Sequence, residues 1–300
     1  MIDKKRVIII GLGTIAHHHL AALRAVEGVE IVGLCDLRPE ASKQPEFACY
    51  DFDTHVERLI GRVHPDTAII LTPPNSHRAI AEQCIHLGLH AVIEKPLEDC
   101  ERDVAYLLQP EVAQHWTPVY HSICGPEVQW WLTHMGEVPV ESIRIAFSDP
   151  YATKKGHIHL AKRVLGGTWI DSGVNALALV ALLAPIRDMR DAQAVHFTDP
   201  DSGLYYQSDF MARCGQTEVE IAIRWNENIN HKETLICANG KTYRLNHSAQ
   251  SVECEGQILF RDNSCERLTA QYTAFYRQYP NLTLTMAQTK EIYKILFENL

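Results

Sequence analysis

The chain has 300 residues, of which 46% are hydrophobic and 22% charged, a composition typical of a globular protein with one large domain or two of average size. The 28 Lys and Arg residues against 37 Asp and Glu give a formal charge of -9, the wrong sign for binding the phosphate backbone of nucleic acid. The nine cysteines are widely spread and form no C-x-x-C pair, which indicates reduced thiols in a cytoplasmic protein. No apolar run approaches the ~20 residues that span a bilayer, so we expect no membrane partner. The negative net charge likewise leads us to expect no nucleic acid as partner.

The first 120 residues alternate short β-branched runs with amphipathic stretches, a pattern typical of a parallel sheet covered by helices on both faces. We predict strands at 6–10, 30–35, 67–71, 91–93 and 117–120. Helices are predicted at 15–26, 53–61, 76–87 and 100–108. A doubly wound sheet of this kind binds its ligand at the carboxyl ends of the strands.

A glycine-rich turn follows the first predicted strand. Its sequence, Gly11-Leu12-Gly13-Thr14-Ile15-Ala16, matches G-x-G-x-x-[GA]. In this motif the first glycine permits the tight turn, and the second lets the backbone approach a pyrophosphate at the start of the following helix. The sequence therefore predicts an α/β Rossmann domain over residues 1–120 that binds a dinucleotide.

Asp36 lies at the end of the second predicted strand, about 20 residues beyond the glycine motif. A carboxylate there accepts hydrogen bonds from the ribose hydroxyls and repels a 2′-phosphate, which favours NAD over NADP. Arg38, two residues further on, weakens that preference, so the use of NADP stays open.

Two groups of histidines raise the question of a metal site. Consecutive helical positions point about 100° apart, so His17, His18 and His19 cannot converge on one ion. We expect them on the first turn of the helix that faces the dinucleotide, and we predict no metal. For His157 and His159, in a predicted loop, three interpretations stay open: a loop that enters the substrate site, a solvated loop, or a metal site.

Two polar segments follow later strands of the predicted sheet. Thr72-Pro73-Pro74-Asn75-Ser76-His77 starts a helix, with Asn75 or Ser76 as its cap, and Glu94-Lys95-Pro96 follows the next strand. Because the carboxyl ends of parallel strands meet at one edge, both segments should lie beside the cofactor site. Lys95 is there a candidate for chemistry, and the alternative is an ordinary surface lysine.

After residue 120 the pattern changes. Residues 143–147 and 219–225 alternate with period two, and 204–213 and 233–245 are similarly extended, which indicates an antiparallel sheet with one buried face. Asn239-Gly240 predicts a hairpin turn. Helices are predicted at 171–183, 265–279 and 285–299. We therefore predict a second, α+β domain over residues 121–300 with an open, mainly antiparallel sheet.

A segment from Gly166 to Asn175 leads into the apolar helix at 176–183. If that helix begins at Asp171, then Asp171 and Asn175 are spaced i, i+4 and share one face. Asp171 could instead simply cap the helix. Asn175 on an otherwise apolar helix needs hydrogen-bond partners, because a buried amide without them is costly.

Together these segments resemble the glucose-fructose oxidoreductase, inositol dehydrogenase and MocA (Gfo/Idh/MocA) family, which shows a glycine fingerprint, an E-K-P lysine and a G-G-x-x-x-D-x-G-x-H segment. The correspondence runs from Gly11 to Asn175 and, by pattern, through the antiparallel sheet of the second domain. The resemblance implies an NAD(P)-dependent oxidoreductase. The cofactor-binding positions that it implies are Gly11, Gly13, Thr14, Ile15, Asp36, Thr72, Pro73, Asn75, His77, Glu94 and Lys95.

The chain departs from the family at Asn175, where most members carry a histidine that serves as acid or base. The D-x-G-x-N-A-L form at 171–177, together with His121-Ser122, looks like the branch that contains D-galactose and L-arabinose 1-dehydrogenases. This resemblance implies Lys95, Asp171 and Asn175 as catalytic residues, and the same three with His121 as substrate contacts.

The loss of the histidine changes where a proton can go. An amide accepts no proton at neutral pH, so Asn175 should position the substrate while Lys95 or Asp171 takes the proton. A free lysine, with a pKa near ~10.4, is a poor base; burial and the positive nicotinamide ring lower that pKa, and an ionised Asp171 nearby raises it. We expect hydride transfer from C1 of a cyclic aldose, giving a lactone, because an anomeric hydroxyl is more acidic than an ordinary alcohol.

Two other functions stay open. One is a ketoreductase that acts on a keto-sugar or nucleotide-sugar intermediate. The other is a sugar sensor that binds a dinucleotide without turnover, although retention of Lys95 with Asp171 speaks against it. Family members often pair through the outer face of the antiparallel sheet, so the resemblance implies a homodimer or homotetramer with a small sugar as substrate.

Overall fold

The computed structural model describes residues 4–136, 138–281 and 284–300. The chain divides into two compact units. The first comprises Met1–Tyr120 and Tyr272–Asn281, and the second comprises His121–Gln271 and Leu282–Leu300. The division after residue 120 coincides with the predicted one, but residues 272–281, which we predicted within the second domain, belong to the first unit.

The first unit contains a parallel six-stranded sheet. Its strands are β1 (Lys5–Ile10), β2 (Val29–Cys35), β3 (Phe52–Asp53), β4 (Thr67–Ile70), β5 (His90–Glu94) and β6 (Trp116–Val119). The helices between them are α1 (Ala16–Arg24), α2 (Val56–Val63), α3 (His77–His86), α4 (Glu101–Leu107) and α5 (Pro110–Ala113). The strand order β3-β2-β1-β4-β5-β6 reverses direction between β1 and β4, the place where doubly wound sheets bind ligands. The predicted Rossmann topology is confirmed.

The central strands form because their residues are apolar on both faces. Residues 7–10 of β1 and all of β4 are buried, which fits a sheet covered by helices on both sides. The helix predicted at 53–61 begins later, at Val56, because Asp53 still pairs with Cys35 in β3. Neither the two-residue strand β3 nor the four-residue helix α5 was predicted.

The second unit contains an eight-stranded sheet. Its strands are β7 (Val140–Ser148), β8 (Met189–Thr198), β9 (Tyr205–Cys214), β10 (Thr217–Arg224), β11 (His231–Ala238), β12 (Lys241–Asn246), β13 (Ser251–Cys254) and β14 (Gln257–Arg261). Their order is β14-β13-β12-β11-β7-β10-β9-β8, and β7 and β10 pair in parallel while the other neighbours are antiparallel. The predicted hairpin is confirmed, with Asn239 and Gly240 at φ of 52° and 68° between β11 and β12.

The remaining helices are α6 (Pro126–Met135), α7 (Val174–Leu183), α8 (Arg267–Gln278) and α9 (Met286–Glu298). Helix α8 continues from the second unit into the first, and α9 begins with a capping box between Thr285 and Gln288. Helix α6 and strands β8, β13 and β14 were not predicted. In the part of the chain that the structure describes, we find no helix with the length and apolar character of a membrane span.

Candidate functional site

The glycine turn after β1 is shaped by close backbone packing on one side. Gly11 has φ of +96°, and a Cβ at this position would lie 2.8 Å from the carbonyl carbon of Leu71 and from the amide nitrogen of Thr72. Only glycine meets both conditions. A Cβ on Gly13 would meet no atom within 4 Å, so the turn is open there to a ligand.

Helix α1 starts without a side-chain cap. Its N-cap residue, Ile15, has no side chain that can accept a hydrogen bond from the first backbone N–H groups, and Ala16 is fully buried. Uncapped amides at a helix N-terminus favour an anionic ligand. The turn and the start of this helix therefore fit the pyrophosphate of a dinucleotide.

Asp36, just after β2, is buried and accepts hydrogen bonds on both carboxylate oxygens. Oδ2 accepts from the backbone amide of Leu12 at 2.8 Å and from Nη2 of Arg38 at 3.0 Å, and Oδ1 accepts from Nε of Arg38 at 3.0 Å. Burial alone would raise the pKa of Asp36, but the bonds from Arg38 and Leu12 outweigh it and hold the pKa below its usual value. Asp36 is thus an anion at neutral pH, and Arg38 occupies acceptor positions that ribose hydroxyls would use.

The segment after β4 presents some predicted residues and buries another. Pro73 and Asn75 are exposed and Thr72 is half-buried, at the strand ends next to the glycine turn. Ser76 is the N-cap residue of α3, but its hydroxyl donates to Thr72 Oγ1 at 2.8 Å and to the Pro73 carbonyl at 2.7 Å instead of capping the helix. Of the two predicted caps, Ser76 is thus confirmed as the N-cap residue by position, but its side chain makes no capping hydrogen bond.

His77 is buried among backbone carbonyls. Its Nε2 lies 2.7 Å from the Thr72 carbonyl oxygen, and its Nδ1 lies 3.1 Å from the Pro96 carbonyl oxygen. Burial lowers the pKa of His77 more than these carbonyls raise it. The ring connects the segments that follow β4 and β5, and a direct cofactor contact by His77 stays a prediction.

Lys95 lies half-buried at the carboxyl end of β5, and the preceding Glu94 is turned into the unit. Glu94 Oε2 accepts the backbone N–H of Lys95 at 2.8 Å, and Oε1 accepts the Tyr272 hydroxyl at 2.7 Å. Nε2 of His19 also lies 3.1 Å from Oε1. The sequence pattern did not identify His19 and Tyr272 as partners of this carboxylate.

Of the three consecutive histidines, His17 and His19 have different surroundings, as the predicted divergence requires. Nδ1 of His17 lies 2.5 Å from a carboxylate oxygen of Glu46, and the ring stacks on Phe47. His19 is fully buried beside Glu94. The geometry therefore rules out one ion held by all three rings.

In the second unit, Asp171 lies in an irregular helical turn. Residues Trp169–Gly173 form one π-helical turn before α7, so the predicted continuous α-helix from Asp171 is wrong, and with it the simple i, i+4 relation to Asn175. The alternative that Asp171 caps the helix is also wrong, because the N-cap residue is Gly173 for α7 and Thr168 for the π turn. Single π turns within helices occur frequently at functional sites.

Three residues singled out from the sequence, Asn175, His121 and Ser122, are buried close to the start of α7. The side-chain Oδ1 of Asn175 is buried and accepts no hydrogen bond from the described residues, while its backbone carbonyl accepts the Ser122 hydroxyl at 3.3 Å. Nδ1 of His121 lies 2.9 Å from Oε1 of Gln271, and the Ser172 hydroxyl donates to Asp171 at 3.2 Å. An unsatisfied buried oxygen indicates a position that expects a polar partner.

Buried charges that the sequence did not point to lie around Asp171. Lys232 Nζ donates to Asp149 Oδ1 at 2.5 Å, and burial lowers the pKa of Lys232 although Asp149 and Asp171 oppose this. Burial also raises the pKa of Tyr151, and the charges of Asp149 and Asp171 raise it further. Lys232 and Asp149 are far apart in the sequence and become neighbours only when strands β7 and β11 pair. No local sequence motif therefore identifies them.

His157 belongs to an ion-pair cluster. Its Nδ1 lies 2.9 Å from Asp201, and its ligand atom and those of Asp199 and Asp201 are within 4.8 Å of one another. The guanidinium of Arg163 lies 3.6 Å from Asp199 and 3.8 Å from Asp201, so a cation already balances the two carboxylates. His159 is exposed.

Comparison with known proteins supports the Rossmann fold of the first unit. Residues 5–112 match the family model of an oxidoreductase family with an NAD-binding Rossmann fold. A curated relative, glycosyl hydrolase family 109 protein 2 of Akkermansia muciniphila, is 33% identical over 31% of this chain and 22% of its own length. A second, UDP-N-acetylglucosamine 3-dehydrogenase of Acidithiobacillus ferrooxidans, is 31% identical over 30% of this chain and 28% of its own. The matched segments thus span less than a third of these relatives.

Solved structures match over the full length. An oxidoreductase from Agrobacterium radiobacter, solved with NAD+, L-tartaric acid and magnesium, superimposes with a TM-score of 0.81 over 99% of this chain and 95% of its own, at 14% identity. The A. ferrooxidans enzyme superimposes with a TM-score of 0.78 over 98% and 96%, at 17% identity. At these identities the superpositions establish the fold of both units.

Proposed function

We propose that the chain, whose residues 5–112 match the Gfo/Idh/MocA oxidoreductase family model, is an NAD(P)-dependent dehydrogenase that oxidises C1 of a cyclic aldose to a lactone. The aldose is galactose- or arabinose-like in this proposal. The observation that carries it is the set of strand ends in the first unit, where the open glycine turn, the anionic Asp36 and the half-buried Lys95 follow β1, β2 and β5.

The residues of these strand ends fit the cofactor. Gly11, Gly13, Thr14 and Ile15 would hold the pyrophosphate at the start of α1, and Asp36 would bind the ribose once Arg38 shares or leaves its carboxylate. Exposed Pro73 and Asn75 with Thr72, and the Glu94-Lys95 pair, would complete the binding surface. When bound, the nicotinamide supplies the acceptor for the hydride from C1.

Lys95 is proposed to take the proton of the anomeric hydroxyl, with Asp171 as the alternative acceptor. Lys95 is half-buried, and its backbone is fixed by Glu94. Asn175 cannot take a proton and is proposed to bind the sugar through its unsatisfied Oδ1, together with His121. An acidic anomeric hydroxyl suits a site without a histidine base.

Lys95→Met keeps much of the apolar stem and removes the amine. We expect it to lower kcat/KM for the preferred aldose at least about a hundredfold while NAD still binds, because the proton acceptor is lost. Lys290→Met, which removes an exposed lysine on α9, is the control and should retain wild-type rates. Full sugar oxidation by Lys95→Met would overturn the role of Lys95.

A panel in both directions separates this function from its alternatives. Purified protein is incubated with NAD or NADP and aldoses, and separately with NADH or NADPH and keto-sugars, while nicotinamide absorbance is followed. Turnover of aldoses with release of a lactone supports the proposal, and turnover only in the second arm makes the protein a ketoreductase. Cofactor and sugar binding without turnover in either arm makes it a sensor.

We also propose that the chain forms a homodimer or homotetramer in the cytoplasm. The side chains of Val195, Phe197 and Met211 lie on the same face of β8 and β9 and are 58%, 44% and 57% exposed, and apolar side chains of this size favour association. All nine cysteines are free, which suits a reducing compartment. Light scattering of wild type and of Phe197→Glu tests the association.

A further inference from the structure

A buried polar cluster lies behind Lys95 in the first unit. We call His19 of α1, Glu94 of β5, and Tyr272 and Tyr276 of α8 the Glu94 cluster. All four residues are at least nine-tenths buried, and His19 and Tyr272 are fully so. Their hydrogen bonds join two helices to the end of the strand that carries Lys95.

The distances fit one arrangement of protons. Nδ1 of His19 lies 2.6 Å from the Tyr276 hydroxyl oxygen, and Nε2 lies 3.1 Å from Glu94 Oε1. Burial raises the pKa of Tyr276, so the hydroxyl keeps its proton and donates to Nδ1. Burial lowers the pKa of His19 more than Glu94 raises it, which leaves a neutral ring whose Nε2–H donates to the carboxylate.

The cluster gives the Glu94 carboxylate donors on both oxygens. His19 and Tyr272 donate to Oε1, and the backbone N–H of Lys95 donates to Oε2 at 2.8 Å. A buried carboxylate is costly, and an apolar side chain of similar size is often equally stable in such a place. A gain in stability therefore does not explain why the fold keeps a carboxylate here.

We propose that His19 and Tyr272 are positioning residues for Lys95. They orient the Glu94 carboxylate so that it holds the backbone amide of Lys95, which fixes the direction in which the lysine side chain leaves β5. The inference rests on the proposed function in one respect: orientation matters for turnover only if Lys95 handles the substrate proton. A misplacement of about 1 Å at a reacting group can cost a hundredfold in rate.

The first test needs no substrate. Hydrogen–deuterium exchange is measured at the Lys95 amide in wild type, Tyr272→Phe and His19→Leu. We expect exchange at least about tenfold faster in both variants. Each variant removes one of the side chains that hold the Glu94 carboxylate, which accepts the Lys95 N–H. Tyr106→Phe is the matched control, since it removes a Tyr-to-carboxylate bond of 3.0 Å to Glu82 elsewhere in the unit and should leave the exchange of Lys95 unchanged.

The second test uses kinetics. Tyr272→Phe should lower kcat about three- to tenfold, with the Kd for NAD within twofold of wild type, because only the orientation of Lys95 is lost. His19→Gln, which retains an N–H donor, should recover most of the rate that His19→Leu loses. Glu94→Gln removes a negative charge beside Lys95, so the limb of the kcat/KM profile that reports the lysine should move to lower pH.

The outcomes separate the two proposals. Wild-type exchange at Lys95 and wild-type kcat in Tyr272→Phe would overturn the positioning role, even where Lys95→Met is inactive and the proposed function stands. Full activity of Lys95→Met would overturn the role of Lys95 as proton acceptor, on which the kinetic test depends, while faster amide exchange in Tyr272→Phe would still support the structural link. Absence of aldose turnover by wild type would overturn the proposed function, and the exchange test would still decide the structural link. If His19→Leu does not fold, Tyr272→Phe decides alone, because it retains the aromatic ring.

Discussion

The guanidinium of Arg38 binds both carboxylate oxygens of Asp36, with Nε 3.0 Å from Oδ1 and Nη2 3.0 Å from Oδ2. The backbone N–H groups of Leu12 and Arg38 add one bond to each oxygen, at 2.8 and 2.9 Å. A carboxylate offers about four acceptor positions, and all are in use. The arginine that binds this carboxylate, for which we propose a bond to the ribose, is also the group that would bind a 2′-phosphate.

Asp36→Ala should weaken NAD binding about ten- to a hundredfold, because a bond from a ribose hydroxyl to a charged acceptor contributes roughly 1.5–3 kcal/mol. It should also improve the use of NADP relative to NAD, since the repulsion of the 2′-phosphate is gone and Arg38 is released. Fluorescence titration with NADH and NADPH measures both constants.

Glu40→Ala is the control for this prediction, because it removes an exposed carboxylate from the same loop. It should leave the ratio of the two constants unchanged. The assignment of Asp36 would be wrong if Asp36→Ala kept the cofactor preference of wild type.

The parallel sheet could be predicted from the sequence because each buried strand is a continuous apolar run. β4 is buried at every position, and the run is visible without any tertiary information. β8 carries no such signal: all ten of its residues are exposed or half-buried, and the strand forms through its pairing with β9. Packing, not local pattern, also assigns residues 272–281 to the first unit.

The candidate site divides in the same way. The glycine turn, Asp36 and Lys95 could be located because strand ends are local features of the sequence. The hydrogen bond between Tyr272 and Glu94 joins residues 178 positions apart, and no sequence motif predicts it. The π turn at Trp169–Gly173 depends on close packing, since a Cβ on Gly173 would lie 2.8 Å from the Trp169 ring, and sequence periodicity does not report that contact.

His90 should make the protein less stable in mild acid. Burial lowers the pKa of His90 to about 4, and the charge of Lys5 lowers it further. In the unfolded chain the ring titrates near 6.5, so the unfolded state binds more protons between pH 6.5 and 4. Stability from this group is fully present above pH 6.5 and is lost as the pH falls toward 4.

Thermal melts between pH 7 and 4 check this prediction. The melting temperature of His90→Gln should fall less over that window than that of wild type. Glutamine does not titrate, so the variant lacks the buried imidazole whose protonation favours the unfolded state. His86→Gln, which replaces an exposed histidine whose Nδ1 lies 2.8 Å from the Glu82 carbonyl, is the control and should follow wild type. Parallel curves for wild type and His90→Gln would contradict the prediction.

Glu127 and His247 form a buried pair in the second unit, with His247 Nδ1 2.7 Å from Glu127 Oε1 and both side chains almost completely buried. Nε2 of His247 is paired with the Thr234 hydroxyl at 2.8 Å. Glu127→Leu should lower the free energy of unfolding by about 3–5 kcal/mol, because it strands the polar ring in the interior. Denaturant titration measures the change.

A second variant tests the coupling. Adding His247→Leu to Glu127→Leu should recover part of the loss, since the stranded ring is removed. Glu218→Leu breaks the exposed pair with Arg213, at 2.8 Å, and should cost less than about 1 kcal/mol. Simple additivity of the two buried substitutions would show that the pair contributes no coupling.

Asn175 gives the sharpest distinction between a structural and a functional residue. Its Oδ1 is buried without a donor among the described residues, and such an orphan costs about 1–3 kcal/mol. Asn175→Leu, close in volume, should therefore leave the free energy of unfolding unchanged or raise it by about 1 kcal/mol. The same change should lower kcat/KM for the aldose at least about tenfold, because a sugar hydroxyl loses its acceptor.

Thr289→Val is the matched control for this variant. Thr289 lies on α9 in the same unit, is fully buried, and carries a hydroxyl oxygen that has no partner among the described residues. Thr289→Val should also be neutral or stabilising, but it should keep the wild-type kcat/KM. A loss of more than about 2 kcal/mol of stability in Asn175→Leu would mean that a structural partner binds Oδ1. An unchanged kcat/KM in the same variant would show that Asn175 does not bind the substrate.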